Sequence, residues 1–323
     1  MSPVLLIIFF VIGSSFSGCA DTSSYTNQPP NVTQGERYIE TEGLSQLPNR
    51  RLAITSFGIE YDTKLLWPLP EGQRRQIHTV SHDHKAIVLG LPEDRMQALV
   101  DHAYTRLVED LQTAGYDIVP YETYNDLPTY RSLIHLGGHE SPTSVSFTWG
   151  RQDHLIQGEA LVFTPTGMRW YSPPLGDVES RLGNTLANLG SELPLIGRGL
   201  LGKEAIRQVE SDLANILNAT LVKAYYVVSP VRNVGDTAFQ ERALPVKGST
   251  ILGRGETRLA FRTPDAPSSL HPRGMNTPPR DGNAFVRLLR DVQVRNSSTS
   301  TQDLATYLDV IGKLFILAMM AER

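Results

Sequence analysis

Apolar positions recur at helical spacing in three parts of the chain. In the clearest part, the apolar residues after Pro92 lie three or four positions apart on one face of a helix, and Gly115 suits the end of that helix. The acidic residues directly after the proline suit its N-terminus. The same spacing predicts a second amphipathic helix at about 203–218 and a terminal helix at about 302–320.

Extended segments rich in β-branched or alternating apolar residues separate these helices. They are TLVKAYYVVSPV (220–231), RLAITSFGIEY (51–61), YDIVPYE (116–122), DHLIQGEALVFTP (153–165), TRLAFRT (257–263) and RDVQVRN (290–296). Residues 123–152 predict a loop, with a strand at SVSFTWG. Strands that alternate with helices predict an α/β (α+β) fold, in which amphipathic helices pack on a mixed sheet. A loop-rich C-terminal part and a terminal helix complete it.

The N-terminal stretch VLLIIFFVI (Val4–Ile12) is apolar throughout but short. A helix that spans a bilayer needs about 20 such residues, so this stretch cannot span. Its length is typical of the hydrophobic region of a secretory signal. Small residues follow it and lead to Cys19, the single cysteine of the chain.

The residues Phe16-Ser17-Gly18-Cys19 resemble the lipobox of bacterial lipoproteins. The resemblance implies that residues 1–18 are a signal peptide and that Cys19 is the lipidated first residue of the mature chain. Ala20 follows the cysteine directly, and Asp21 comes only after it. In enteric-type sorting, an Asp displaced in this way implies export to the periplasmic side of the outer membrane. An ordinary cleaved signal and an uncleaved anchor remain open as alternatives.

Composition narrows the partners and the chemistry. The formal net charge is −4, so no basic field is present to hold nucleic acid. If lipid occupies the thiol of Cys19, the folded body has no cysteine for a metal site, a nucleophile or a redox pair. The lipobox resemblance implies a membrane partner, reached through the lipid on Cys19, and the other predicted partners are proteins of the cell envelope.

Composition also divides the chain into regions. Residues 19–50 are poor in aliphatic residues and rich in polar ones and proline, which predicts a lipidated flexible tether. Residues 51–235 carry the predicted α/β domain. Residues 236–323 carry the C-terminal strands, a proline-rich loop and the terminal helix, either as a separate lobe or as part of the same domain.

A second resemblance involves Gly115–Val119 (GYDIV) and Asp153–Gly158 (DHLIQG). With the strand and helix before them, they resemble the periplasmic α/β unit of the curli-secretion lipoprotein family and of the N-terminal domain of the Tol–Pal propeller protein. The resemblance implies a scaffold or assembly role in the envelope.

The histidine-rich stretch HTVSHDH (78–84) is the strongest candidate for a metal site. On a strand, His82 and His84 share a face and supply two ligands at most, so a third must come from elsewhere. His135 and His139 are the candidates for that third ligand. Solvated surface histidines are the favoured interpretation, and no metal or cofactor is predicted.

Other motifs predict no catalytic site. Gly197, Gly199 and Gly202 match GxGxxG, but no apolar strand leads into them, which favours a glycine hinge before a helix. The acidic pairs Glu109–Asp110 and Glu210–Asp212 lie on polar helix sides and predict solvated faces. The sequence therefore predicts a non-catalytic binding or scaffold role, and the alternative is an envelope hydrolase acting on peptidoglycan, lipid or glycan.

The terminal helix ends in KLFILAMMA (313–321), which is apolar nearly all round. Two interpretations remain open: a helix end buried in the core, or an exposed face that docks a partner or the membrane.

Overall fold

The computed structural model describes residues 37–47, 50–68, 84–149, 156–171, 198–230, 249–252, 257–264, 284–289, 292–295 and 300–322. The strands are β1 (Ile39–Glu42), β2 (Arg51–Pro68), β3 (His84–Val88), β4 (Asp117–Ile118), β5 (Gly138–His139), β6 (Thr143–Trp149), β7 (Ile156–Phe163), β8 (Trp170–Tyr171), β9 (Thr220–Ser229), β10 (Ser249–Leu252), β11 (Arg258–Arg262), β12 (Ala284–Leu288) and β13 (Val292–Arg295). The α-helices are α1 (Glu93–Thr113), α2 (Tyr121–Tyr124), α3 (Pro128–Gly137), α4 (Arg198–Leu217) and α5 (Ser300–Ala321).

One mixed sheet contains eleven of the described strands, in the order β1-β12-β11-β9-β2-β7-β6 along its main path. Strand β2 runs parallel to β9 and β4, and the remaining pairs are antiparallel. Strands β3 and β4 pair with β2, and β10 links β9 to β13. The predicted fold class, a mixed sheet with helices packed on it and a C-terminal helix, is confirmed.

The two faces of the sheet carry different helices. Successive residues of a strand point to opposite faces, so Ile54 on β2 and Val222 on β9 pack in the cluster that contains α1 and α5. Their neighbours Ala53 and Leu221 pack in the cluster that contains α2, α3 and α4. We call these the first face and the second face. The result is a three-layer arrangement of helices, sheet and helices.

Helix α1 matches its prediction at both ends. It begins at Glu93 after Pro92, and its apolar stripe is buried on the first face. Beyond the helix, the N–H of Tyr116 donates to the carbonyl of Leu111 at 3.0 Å. This closing turn places Gly115 at a φ of +83°, a conformation that glycine adopts without a steric penalty.

Helix α5 buries most of its apolar residues against the first face. They are Leu304, Tyr307, Leu308, Ile311, Leu314, Phe315, Ile316 and Met319. The structure therefore supports the core interpretation for most of the 313–321 segment, although Leu317 and Met320 are 43% and 51% exposed. Among the described helices, α5 alone is long and apolar enough to span a membrane, a property that it shares with the core helices of soluble proteins.

Residues 39–46 correct the predicted boundaries of the tether. The polar composition of residues 19–50 assigned them to it, but β1 pairs antiparallel with β12 in the main sheet. Ile39 and Leu44 are buried in the core. These few apolar side chains find partners that lie about 250 residues further along the chain, which local composition cannot reveal.

The loop predicted at 123–152 is also wrong in part. Helices α2 and α3 lie within it, and α3 begins with Pro128 at its first position. Tyr130 and Leu133, three residues apart, are buried on the second face. The predicted strand at 144–150 does exist, as β6.

Candidate functional site

A set of buried charged side chains occupies the second face at the centre of the sheet. We call it the charged cluster, and its members are Glu60, Asp62, Arg207, Glu210, Lys223, Arg258 and Arg262. Each is at most 8% exposed. Charged residues are rarely buried unless they are paired, so this cluster is the most unusual chemical feature among the described residues.

Alternation along three neighbouring strands brings these side chains together. In the sheet register, Lys223 of β9 lies beside Ser56 of β2 and Ala260 of β11. Two pairs further along, Tyr225 lies beside Arg258. The first-face neighbours of these residues are apolar, so the polar side chains all point to the second face.

An ion pair in the cluster joins β9 to helix α4. The Nζ atom of Lys223 lies 2.9 Å from Oε1 of Glu210, and the two side chains are 2% and 1% exposed. A buried ion pair of this kind fixes the position of the helix on the sheet, because separating the charges would leave both without compensation. Burial raises the pKa of the nearby Tyr171, and the negative charge of Glu210 raises it further.

A second polar contact ties β2 to β9. The hydroxyl of Tyr225 donates to Oε2 of Glu60 at 2.6 Å. On the neighbouring strand, a guanidinium nitrogen of Arg262 lies 3.4 Å from the carbonyl oxygen of Arg207 on α4. Every charged member of the cluster has at least one interaction partner. Within the cluster, Lys223 and Arg262 bond to α4, and Tyr225 bonds to Glu60 within the sheet.

The buried face of α4 differs in part from the face that its apolar residues predict. The acidic pair Glu210–Asp212 was predicted to lie on a solvated face, and this is wrong for Glu210, which is buried, although Asp212 is exposed. Conversely, Ile216, which belongs to the apolar stripe, is 58% exposed. Pairing with Lys223 explains the difference, because a buried cation on the sheet requires an anion opposite it.

A group of tyrosines supports the sheet beside the cluster. Strand β2 has a β-bulge between Ile54 and Ser56, which places Thr55 as an extra residue opposite β9. The hydroxyl of Tyr124 donates to the carbonyl of Ile54 at 2.6 Å, and that of Tyr130 donates to the carbonyl of Thr55 at 3.2 Å. Tyrosine hydroxyls thus bond the backbone at the bulge, and burial raises the pKa of both tyrosines.

We expect Tyr130→Phe to lower the free energy of unfolding by about 1–2 kcal/mol, because it removes a hydroxyl whose one proton is shared between two carbonyls at largely buried positions. These are the carbonyls of Thr55 and Arg169, at 3.2 and 3.1 Å. Urea unfolding followed by circular dichroism measures the change. Tyr307→Phe is the matched control, since that tyrosine makes no hydrogen bond within the described part of the chain. Equal losses of stability from the two substitutions would contradict a stabilising role for the Tyr130 hydroxyl.

The candidate metal ligands are not brought together in the described ranges. His78, His82 and Asp83 lie outside the described residues, as does Cys19, the predicted lipidation site. His84 is the first residue of β3, and His135 lies on α3. In the part of the chain that the structure describes, no three His, Cys, Asp or Glu side chains are placed to hold a metal ion.

His139 has a structural contact instead. It pairs with Trp170 between β5 and β8, and the two rings lie 4.6 Å apart at 31°. Burial of the imidazole lowers its pKa from the usual value of 6.5. The folded state therefore favours the neutral ring.

The free energy of unfolding should consequently fall as the pH drops below about 6.5, because the unfolded chain then binds a proton that folded His139 resists. The stability that the neutral ring of His139 contributes is complete above about pH 6.5, and it is lost as the pH falls toward the lower pKa of the folded state. Thermal unfolding of the wild type and His139→Phe from pH 5 to pH 8 measures it, with the loss on acidification smaller in the variant. Parallel pH profiles would refute the assignment.

The glycine motif does not form a loop before a helix. Gly199 and Gly202 lie within α4, which begins at Arg198, while Gly197 lies outside the described residues. Because both glycines lie within the helix, they do not form the loop between a strand and a helix that the dinucleotide motif requires. The hinge interpretation fails for Gly199 and Gly202 for the same reason.

Comparisons of the chain with protein-family models, with curated proteins and with solved structures find no match. The resemblance to lipoproteins therefore rests on residues 16–19, and the resemblance to periplasmic α/β units rests on residues 115–119 and 153–158.

Proposed function

We propose that this protein is an exported lipoprotein of the bacterial cell envelope, with a non-catalytic binding or scaffold role. Lipid on Cys19 would hold it to the periplasmic side of the outer membrane. The observation that carries the proposal is the sequence of a short apolar run followed by Phe16-Ser17-Gly18-Cys19. Two or more acyl chains on one sulfur and its amine would make the attachment stable.

The position of the folded body supports this arrangement. The first described strand begins at Ile39, twenty residues after Cys19. Fully extended, that stretch reaches at most about 70 Å, so a lipid on Cys19 leaves the body room to contact partners near the membrane surface.

The chemistry of the second face favours binding over catalysis. At the interface between the sheet and α4, Lys223 bonds to Glu210 and Arg262 bonds to the carbonyl of Arg207. Such groups hold secondary structure in place, whereas catalytic groups need access to a substrate. The predicted partners are envelope proteins, and no nucleic acid is expected.

The proposal is tested by isolating the protein from bacterial membranes and measuring its intact mass. We expect the mass of a chain that begins at Cys19 and carries acyl groups, recovered in the outer-membrane fraction. Cys19→Ser should release the protein from that fraction, whereas Ser17→Ala, which keeps a small residue before the cleavage site, should not. An unmodified thiol on a chain that retains Met1 would refute the proposal.

A hydrolase acting on peptidoglycan, lipid or glycan is the second candidate. Its candidate residue is Glu60, a carboxylate that accepts a hydrogen bond of 2.6 Å from Tyr225, although both side chains are buried. Turnover of purified peptidoglycan or ester substrates by the wild type, lost in Glu60→Gln, would establish the hydrolase and exclude the purely scaffolding role.

A further inference from the structure

Three exposed side chains form a stripe along the last two turns of α5. Lys313, Leu317 and Met320 follow one another at intervals of four and three residues, which places them on one helix face. All three are exposed, while Leu314, Phe315 and Met319 on the opposite side are buried in the core. We call this stripe the α5 end.

The α5 end lies beside the strand that begins the described fold. The hydroxyl of Thr41 on β1 donates to Oε1 of Glu322 at 3.1 Å, so the last turn of α5 adjoins β1. Strand β1 is also the outermost strand on its side of the main sheet path. The chain therefore enters the described fold next to the α5 end.

This location restricts what the α5 end can meet. Thr41 is 22 positions after Cys19, and a chain of that length reaches at most about 75 Å. Attachment through a short linker raises the effective concentration of a second contact to the order of millimolar. Two exposed apolar side chains can then hold a surface contact that they could not maintain on a free protein.

We propose that the α5 end rests on the lipid bilayer that carries the Cys19 anchor, an inference that depends on the proposed function. Leu317 and Met320 enter the boundary between headgroups and acyl chains, where apolar side chains lose contact with water. Lys313, one turn nearer the helix centre, places its ammonium group among lipid phosphates while its stem lies along the apolar surface. The contact sets which side of the folded body faces the periplasm.

The test uses the mature lipidated protein, in which lipid blocks the thiol of Cys19. Met320→Cys then supplies the one free thiol for an environment-sensitive dye. The labelled protein is reconstituted in vesicles of phosphatidylethanolamine and phosphatidylglycerol, with and without lipids that carry a nitroxide near the top of the acyl chain. We expect the nitroxide to reduce the dye emission at least twofold. Gln302→Cys, exposed at the other end of α5, is the matched control and should change by less than a tenth.

Each outcome decides the inference. Equal quenching at the two positions, or none at either, overturns it while acylated Cys19 leaves the proposed function standing. A blue shift at Met320→Cys in envelope extract but not in pure lipid vesicles identifies a protein as the occupant and also overturns it. An intact mass that shows an unmodified Cys19 overturns both proposals. Circular dichroism of each labelled variant verifies that it is folded.

Discussion

Replacing Lys223 with methionine is expected to lower the free energy of unfolding by about 3–5 kcal/mol, because it leaves the carboxylate of Glu210 buried without its cation. In the wild type the two charged atoms lie 2.9 Å apart, and both side chains are almost fully buried. Methionine has a similar length, so the cavity contribution is small. Urea unfolding monitored by tryptophan fluorescence measures the change.

Two further variants separate this effect from a general intolerance of substitution. The double variant Lys223→Met/Glu210→Leu should recover stability to within about 1 kcal/mol of the wild type, because neither member of the pair is left as an uncompensated buried charge. Lys64→Met removes an ion pair of the same length, 2.9 Å to Glu159, at the surface of the sheet. That substitution should cost less than about 1 kcal/mol. Equal costs for the two lysines would refute the importance of burial.

The second large effect is expected at Phe315 in the terminal helix. Phe315→Ala should lower the free energy of unfolding by about 3–5 kcal/mol, because it opens a cavity in the core. The ring is fully buried and stacks on Tyr226 of β9, with 6.2 Å between the ring centroids. The same urea titration measures the loss.

Leu317→Ala provides the control on the same helix. Its side chain is 43% exposed, so truncation in aqueous solution should change stability by less than about 1 kcal/mol. Deleting residues 313–323 should produce an insoluble or unfolded protein, because it removes Leu314, Phe315 and Met319 together. A deletion variant that keeps a cooperative unfolding transition would contradict the core assignment of α5.

The elements with strong periodicity could be predicted from the sequence. Helix α1 has one continuous apolar stripe and a glycine at its end, and β9 is a run of β-branched and aromatic residues. Local patterns of this kind survive in the fold because burial of the same residues stabilises them. Helix α3 was missed since its ten residues bury only Tyr130 and Leu133. A proline at its first position was the one available signal.

The charged cluster could not be predicted because it depends on contacts between distant segments. Glu210 sits among polar neighbours on α4, and such a residue is usually solvated. The available signal was Lys223, a lone cation inside an otherwise apolar strand. A lysine at such a position demands a buried anion, but the sequence alone does not say which carboxylate supplies it. The register of β9 and the placement of α4 decide that choice.

The pairing of β1 with β12 has a consequence for how the molecule can mature. Ile39 faces Leu288 across these strands, and Thr41 reaches Glu322 near the chain terminus. In a polypeptide that emerges from a ribosome amino end first, β1 must wait for the residues of β12 and for Glu322 before these contacts can form. Strand β1 therefore stays without its strand partner until a late stage of synthesis, although it lies near the amino end of the described fold.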